Sequence, residues 1–133
     1  MPLTWVMTNE STEQPKRILV VDDEPLICLT LQILLASDGY IVDAAKSGAE
    51  ALALFAPGKF DMVFTDYLMP EMKGDQLAAA IKKRSPEQPI VMITAFPEKL
   101  QTSDNPLGGV DSFICKPIEL DCLRTAIAQY AHN

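Results

Sequence analysis

Among the 133 residues there is no apolar run of transmembrane length, no cysteine pair at CxxC spacing and no excess of Lys and Arg. Each absence removes a class of function. Without a long apolar run, and with residues 1–16 lacking both a basic start and an apolar core, neither a membrane span nor a signal peptide is expected. A cytoplasmic protein is the resulting expectation. The three cysteines, Cys28, Cys115 and Cys122, leave one thiol over in any disulfide scheme. All three lie in apolar periodic segments, so reduced and buried thiols are expected. Eleven basic residues against eighteen acidic ones give a net charge of −7. That balance argues against direct nucleic-acid or membrane binding, which rewards clustered Lys and Arg. The single histidine, His132, sits at the tail with no partner nearby in sequence and is given no role.

What is present is an ordinary globular composition, 48% apolar and 22% charged, at a length that suits one domain. Residues 1–16 are mostly polar with two prolines and read as a flexible lead-in; residues 17–133 read as the folded domain. Five short apolar runs then alternate with helical patterns. Ile18 to Val21 ends in Asp22-Asp23-Glu24-Pro25, and the proline suits the first turn of a helix running to Ser37, with Gly39 as a left-handed stop. Ile41 to Ala45 is a second strand. Ser47 and Glu50 have capping-box spacing before a helix reaching Pro57-Gly58. Phe60 to Asp66 is a third strand, followed by a loop through Met69-Pro70 and Lys73-Gly74 and a helix over Asp75 to Arg84. Ile90 to Ile93 is a fourth, ended by Thr94, and Val110 to Cys115 a fifth, ended by Lys116. Leu120, Leu123, Ile127 and Tyr130 mark the inner stripe of a last helix.

Alternation of this kind implies an α/β domain with a doubly wound, five-stranded parallel sheet, and order 2-1-3-4-5 places the ends of strands one and three side by side. Asp22, Asp23 and Asp66 then converge at the carboxyl lip of the sheet. Carboxylates held together need a proton, a cation or a basic neighbour. Oxygen-only ligands favour a hard ion such as Mg²⁺. Thr94 and Lys116 end neighbouring strands on the same lip, where a hydroxyl and an ammonium can hold phosphoryl oxygens. An aspartate so placed can serve as a nucleophile and form an acyl phosphate.

The motifs Val21-Asp-Asp-Glu-Pro25, Asp66-Tyr-Leu-Met-Pro-Glu-Met-Lys-Gly74, Ile93-Thr-Ala95 and Phe113-Ile-Cys-Lys-Pro117 together resemble a response-regulator receiver domain of two-component signalling, from Arg17 to about Tyr130. The resemblance implies a CheY-like fold and a phosphoacceptor that is not otherwise an enzyme. By the same resemblance Asp66 accepts a phosphoryl group from a phosphohistidine on a sensor kinase or histidine phosphotransfer protein. It also implies that Asp23 and Asp66 bind Mg²⁺ directly, with Asp22 through water and the Leu68 carbonyl as a further ligand. Thr94 and Lys116 would hold the phosphoryl oxygens, with Thr94 and Phe113 as the switch pair acting on a downstream protein near strands four and five. A cis Lys116–Pro117 peptide is implied too. Two other readings stay open at this stage: a receiver cut from a larger regulator, and a phosphohydrolase with an Asp nucleophile. Against the second, such enzymes commonly carry another acid two residues on, where this chain has Leu68.

Two departures from the family pattern, and one feature in keeping with it, stand out. The prolines and glycines of Phe96 to Gly109 predict a short or irregular fourth helix, around Glu98 to Thr102 at most. Leu68 and Phe96, two residues beyond Asp66 and Thr94, are apolar and cannot orient an attacking water, which predicts slow loss of the phosphoryl group. Finally, no charge occurs between Glu24 and Asp38, so the first helix is expected to offer an apolar face, and the family habit makes it the docking site of the phosphodonor. The sequence leaves the oligomeric state open.

Overall fold

The computed structural model describes residues 16–95 and 109–131. Its elements are β1 (Arg17–Val21), α1 (Pro25–Ser37), β2 (Ile41–Ala45), α2 (Gly48–Leu54), β3 (Met62–Asp66), α3 (Gly74–Arg84), β4 (Ile90–Thr94), β5 (Ser112–Cys115) and α4 (Leu120–Tyr130). The five strands form one sheet in the order β2-β1-β3-β4-β5, every neighbouring pair parallel. This is the doubly wound parallel α/β fold expected from the alternation, in the strand order of the CheY-like fold that the resemblance implies. The lead-in up to Pro15, Phe96, the segment around Glu98 to Thr102 and His132 lie outside the described residues.

Alternate strand residues feed two apolar layers, because successive side chains point to opposite faces. Ile18, Val20, Met62, Phe64, Val91 and Ile93 pack under α1 and α4, against Leu31, Leu35, Leu123 and Ile127. Leu19, Val21, Val63, Ile90 and Met92 pack under α2 and α3, against Ala51, Leu77 and Ile81. The central strands β3 and β4 are buried at every residue, which is why they read as unbroken apolar runs.

Two strands begin later than their apolar runs suggest, for the same reason at both sites. The Asp61 amide donates to the Arg17 carbonyl at 2.8 Å while its carboxylate accepts from the Arg17 amide at 2.8 Å. Asp111 repeats the arrangement with Ile90, again at 2.8 Å each way, and also holds the Lys82 ammonium at 3.2 Å. A side chain thus takes over one rung of the ladder, and regular pairing starts at Met62 and Ser112. The helix α2 likewise stops at Leu54, short of Pro57-Gly58. Ser47 accepts from the Glu50 amide at 3.0 Å as a cap should, but the Glu50 carboxylate reaches the Lys46 amide at 2.7 Å rather than that of Ser47.

The cysteine expectation needs correction. Cys28 is buried, but Cys115 and Cys122 are exposed. Cys115 ends the edge strand β5, which has a partner on one side only, and Cys122 lies in the first turn of α4, off the stripe of Leu123, Ala126 and Ile127 that meets the sheet. Both segments are apolar on average, and neither is covered all round.

Candidate functional site

Four of the strands end at one cleft. Asp22 follows β1, Asp66 ends β3, and Lys116 follows β5; Thr94 ends β4 between the last two. The open cleft of about 380 Å³ is lined by Asp23, Glu24, Asp66, Leu68, Thr94, Ala95 and Lys116. Asp22, Asp23 and Asp66 bring one carboxylate oxygen each to within 4.8 Å of one another. The Lys116 ammonium lies 3.3 Å from an Asp66 oxygen and 3.8 Å from an Asp22 oxygen. Asp22, Asp66 and Thr94 are 2%, 6% and 1% exposed, so these polar groups are held almost out of water.

Local chemistry fixes each side chain. The Asp22 carboxylate accepts from the Glu24 amide at 2.9 Å, turning the chain into the first turn of α1. From below, the Cys28 thiol donates to the Asp22 carbonyl at 3.1 Å. Asp66 accepts from the Tyr67 amide at 3.0 Å. The Lys116 amide donates to the Thr94 carbonyl at 2.9 Å, which sets the two strand ends side by side, and the Lys116–Pro117 peptide is cis. Gly74 lies hard against the Asp66 backbone: a Cβ there would collide with the Asp66 carbonyl oxygen and sit 3.0 Å from the Tyr67 Cα. Only glycine allows α3 to start that close to the strand end.

Burial raises the Asp22 carboxyl from its ordinary 3.8 to about 6, opposed by the Glu24 amide and reinforced by the Asp66 charge. Burial likewise lifts Asp66, against the charge and hydrogen bond of Lys116. Burial alone would lower the Lys116 ammonium, but the Asp66 and Asp22 charges outweigh it and hold it above its usual value. Three close carboxylates and one ammonium leave an excess of negative charge with oxygen donors only. That donor set fits a hard divalent ion such as Mg²⁺.

A stability prediction follows from the sign of the Asp22 shift. The folded state binds this proton more tightly than the unfolded chain, so folding loses stability as pH rises from about 4 to about 6. Asp22→Asn removes the titration while its amide oxygen can still accept from the Glu24 amide. The variant is therefore expected to be more stable than the wild type by on the order of 1–3 kcal/mol at pH 7 without divalent ions. The gap should open between pH 4 and 6, and Mg²⁺ should narrow it by stabilising the wild type more. Urea unfolding across that pH range measures it; a pH-independent gap would contradict the assignment.

The residues named from sequence thus fall into two groups. Asp22, Asp23, Asp66, Leu68, Thr94 and Lys116 meet at the cleft. Phe113 does not line it; it packs half-buried on the apolar layer of α2 and α3 and borders a separate cavity of about 290 Å³ between β5 and α4. Sequence reasoning missed the thiol support from Cys28, although its spacing with Leu31 and Leu35 marks the inward face of α1. It also read Gly74 only as a loop marker.

The comparisons with known proteins decide the family. A profile for the response regulator receiver domain matches residues 18–128. The chain belongs to the response-regulator receiver family. The transcriptional regulatory protein GlrR of Escherichia coli is 39% identical over 119 residues, covering 87% of this chain and 26% of GlrR. DltR of Streptococcus agalactiae is 38% identical, covering 84% of this chain and 50% of DltR. The receiver therefore spans a quarter to a half of these relatives. Among solved structures, the response regulator TrrA of Thermotoga maritima in complex with Mg²⁺–BeF is 36% identical with a TM-score of 0.78, covering 86% of this chain and 98% of that one. The chemotaxis protein CheY4 of Vibrio cholerae is 29% identical with a TM-score of 0.78, covering 88% and 99%. The receiver is a signalling domain of two-component regulators, and among the described residues no helix is long and apolar enough to cross a membrane.

Proposed function

We propose that the receiver takes a phosphoryl group onto Asp66 from a phosphohistidine on a sensor kinase or phosphotransfer protein. An Asp66 oxygen attacks phosphorus, the P–N bond of the donor breaks, and the imidazole leaves with a proton. The single observation that carries this reading is the setting of Asp66, a nearly buried carboxylate with Lys116 at 3.3 Å and two further carboxylates beside it. Asp23 and Asp66 would hold Mg²⁺ directly, Asp22 through water, and Leu68 through its carbonyl. When bound, the ion supplies charge neutralisation for the acids and the incoming phosphoryl oxygens. Lys116 and the Thr94 hydroxyl hold those oxygens. Movement of Thr94, coupled to Phe113, would carry the change to the surface near β4 and β5, where a downstream protein reads it.

The docking face for the donor is the outer side of α1. Leu26, Leu29 and Ile33 are 76%, 51% and 59% exposed and form a ridge starting next to Glu24 at the cleft. The outward hydroxyls of Thr30 and Ser37 donate to the Leu26 and Leu34 carbonyls, so they add no charge or free donor to it. In the longer relatives a receiver is one part of a regulator, and this one acts in the cytoplasm either alone or as such a part. A relationship to Mg²⁺ is supported by the TrrA complex and by the fit of the acid cluster.

The test is labelling with acetyl phosphate. Label that forms only with Mg²⁺, fails to form when a chelator is present from the start and is released by hydroxylamine is the expected result. Label that forms in the presence of chelator, or that resists hydroxylamine, contradicts the reading. Leu68, 40% exposed at the cleft, has no polar atom with which its side chain could align a water on the phosphoryl group. Leu68→Asn is accordingly expected to shorten the lifetime of the phosphoryl group by on the order of tenfold, measured as label remaining after donor removal. An unchanged lifetime would remove Leu68 from the account.

A further inference from the structure

Asp38 is placed against the local electrostatics of its own helix. It caps the C-terminal end of α1, where exposed carbonyls favour a cation, and α1 has no basic residue in its last turn. Its compensation comes from a different helix. The Arg124 guanidinium on α4 donates from Nε to one Asp38 oxygen at 2.8 Å and from its terminal nitrogen to the other at 2.9 Å. The partners are 86 residues apart in sequence, and Asp121, one turn earlier on α4, lies 3.5 Å from the same guanidinium. Hydrogen bonding from Arg124 holds the Asp38 carboxyl below its usual range. A two-pronged planar contact constrains the relative placement of the two side chains more than a point-charge pair does. Beneath it lies a shared apolar layer, with Leu31 and Leu35 from α1 and Leu123 and Ile127 from α4.

We propose that Asp38 and Arg124 form a clamp that makes α1 and α4 move as one unit, so that a partner displacing the ridge of α1 also displaces the C-terminal helix. The pair positions the helices; it touches no reacting atom. The consequence for a partner rests on the docking face proposed on α1, whereas the clamp itself concerns only the mechanical link between two helices and is tested without donor or phosphoryl group.

Hydrogen exchange of the whole chain, resolved by residue, tests it by reading each helix while the other is altered. Arg124→Gln should speed exchange of the Asp38, Gly39 and Tyr40 amides, which bond to the Leu35 and Ala36 carbonyls at the end of α1, by roughly threefold to fivefold. Asp38→Asn should do the same to the Ala131 amide and the last turn of α4. The double variant should exchange no faster than either single one, and Arg124→Lys should behave as Arg124→Gln because it lacks the fork. Amides of β3 and β4 should not change. An unchanged α1 end in Arg124→Gln would overturn the clamp, as would effects that multiply in the double variant. A uniform rise that includes β3 and β4 would overturn it too, since the pair would then serve overall stability alone.

Discussion

Asp66→Asn is expected to keep its fold and to lose Mg²⁺-dependent labelling by acetyl phosphate by at least about a hundredfold, since an amide is not a nucleophile of this kind. Asparagine keeps the size of the side chain, and its carbonyl oxygen can still accept from the Tyr67 amide, as Asp66 does at 3.0 Å. Removing the charge also removes a buried carboxylate whose ionisation burial opposes, so the variant should be at least as stable as the wild type at pH 7. Loss of labelling with retained stability separates loss of the acceptor from loss of the fold. Labelling that survives in Asp66→Asn would move the acceptor to another group.

Lys116→Ala is expected to slow labelling by about 10²–10³-fold, the usual cost of removing one preorganised group that stabilises developing charge. Lys116 is the cation that the structure places against both buried acids, at 3.3 Å from Asp66 and 3.8 Å from Asp22. Without it the two carboxyls should rise further, and metal-free stability should fall most at pH 8, where both are ionised. Arginine should not restore the rate in full, because its planar fork replaces a compact charge in a space shaped around an ammonium. Rates measured against acetyl phosphate at fixed Mg²⁺ decide the matter. A rate within a few-fold of wild type would show that Lys116 only neutralises the acids at rest.

The candidate site was legible in the sequence because each of its members closes an apolar run, and parallel strands end at a common lip. Once the order placed β1 beside β3, Asp22 and Asp66 had to meet, and Thr94 and Lys116 followed on β4 and β5. The starts of strands were less legible, since Asp61 and Asp111 spend their side chains on Arg17 and Ile90 rather than extending the ladder. Burial of Cys115 and Cys122 was misjudged because the apolar character of a segment does not show which of its residues face away from the sheet: Cys115 ends the edge strand, and Cys122 lies off the buried stripe of α4. Gly74 could be named a loop residue but not the neighbour of Asp66, since close approach of two backbones leaves no mark in periodicity. The absence of charge between Glu24 and Asp38 did carry over, in the exposed ridge of Leu26, Leu29 and Ile33. Its C-terminal end was different: nothing near Asp38 in sequence points to Arg124.

The most direct measurement is to locate the modified residue itself. Borohydride reduces an aspartyl phosphate to homoserine with loss of phosphate, so wild-type protein labelled with acetyl phosphate and Mg²⁺, then reduced and sequenced by mass spectrometry, records the acceptor as a changed residue. Homoserine at position 66, dependent on Mg²⁺ and absent at positions 22 and 23, is the predicted result. Homoserine at Asp22 or Asp23, or phosphate retained on a histidine with no homoserine at all, would contradict the account.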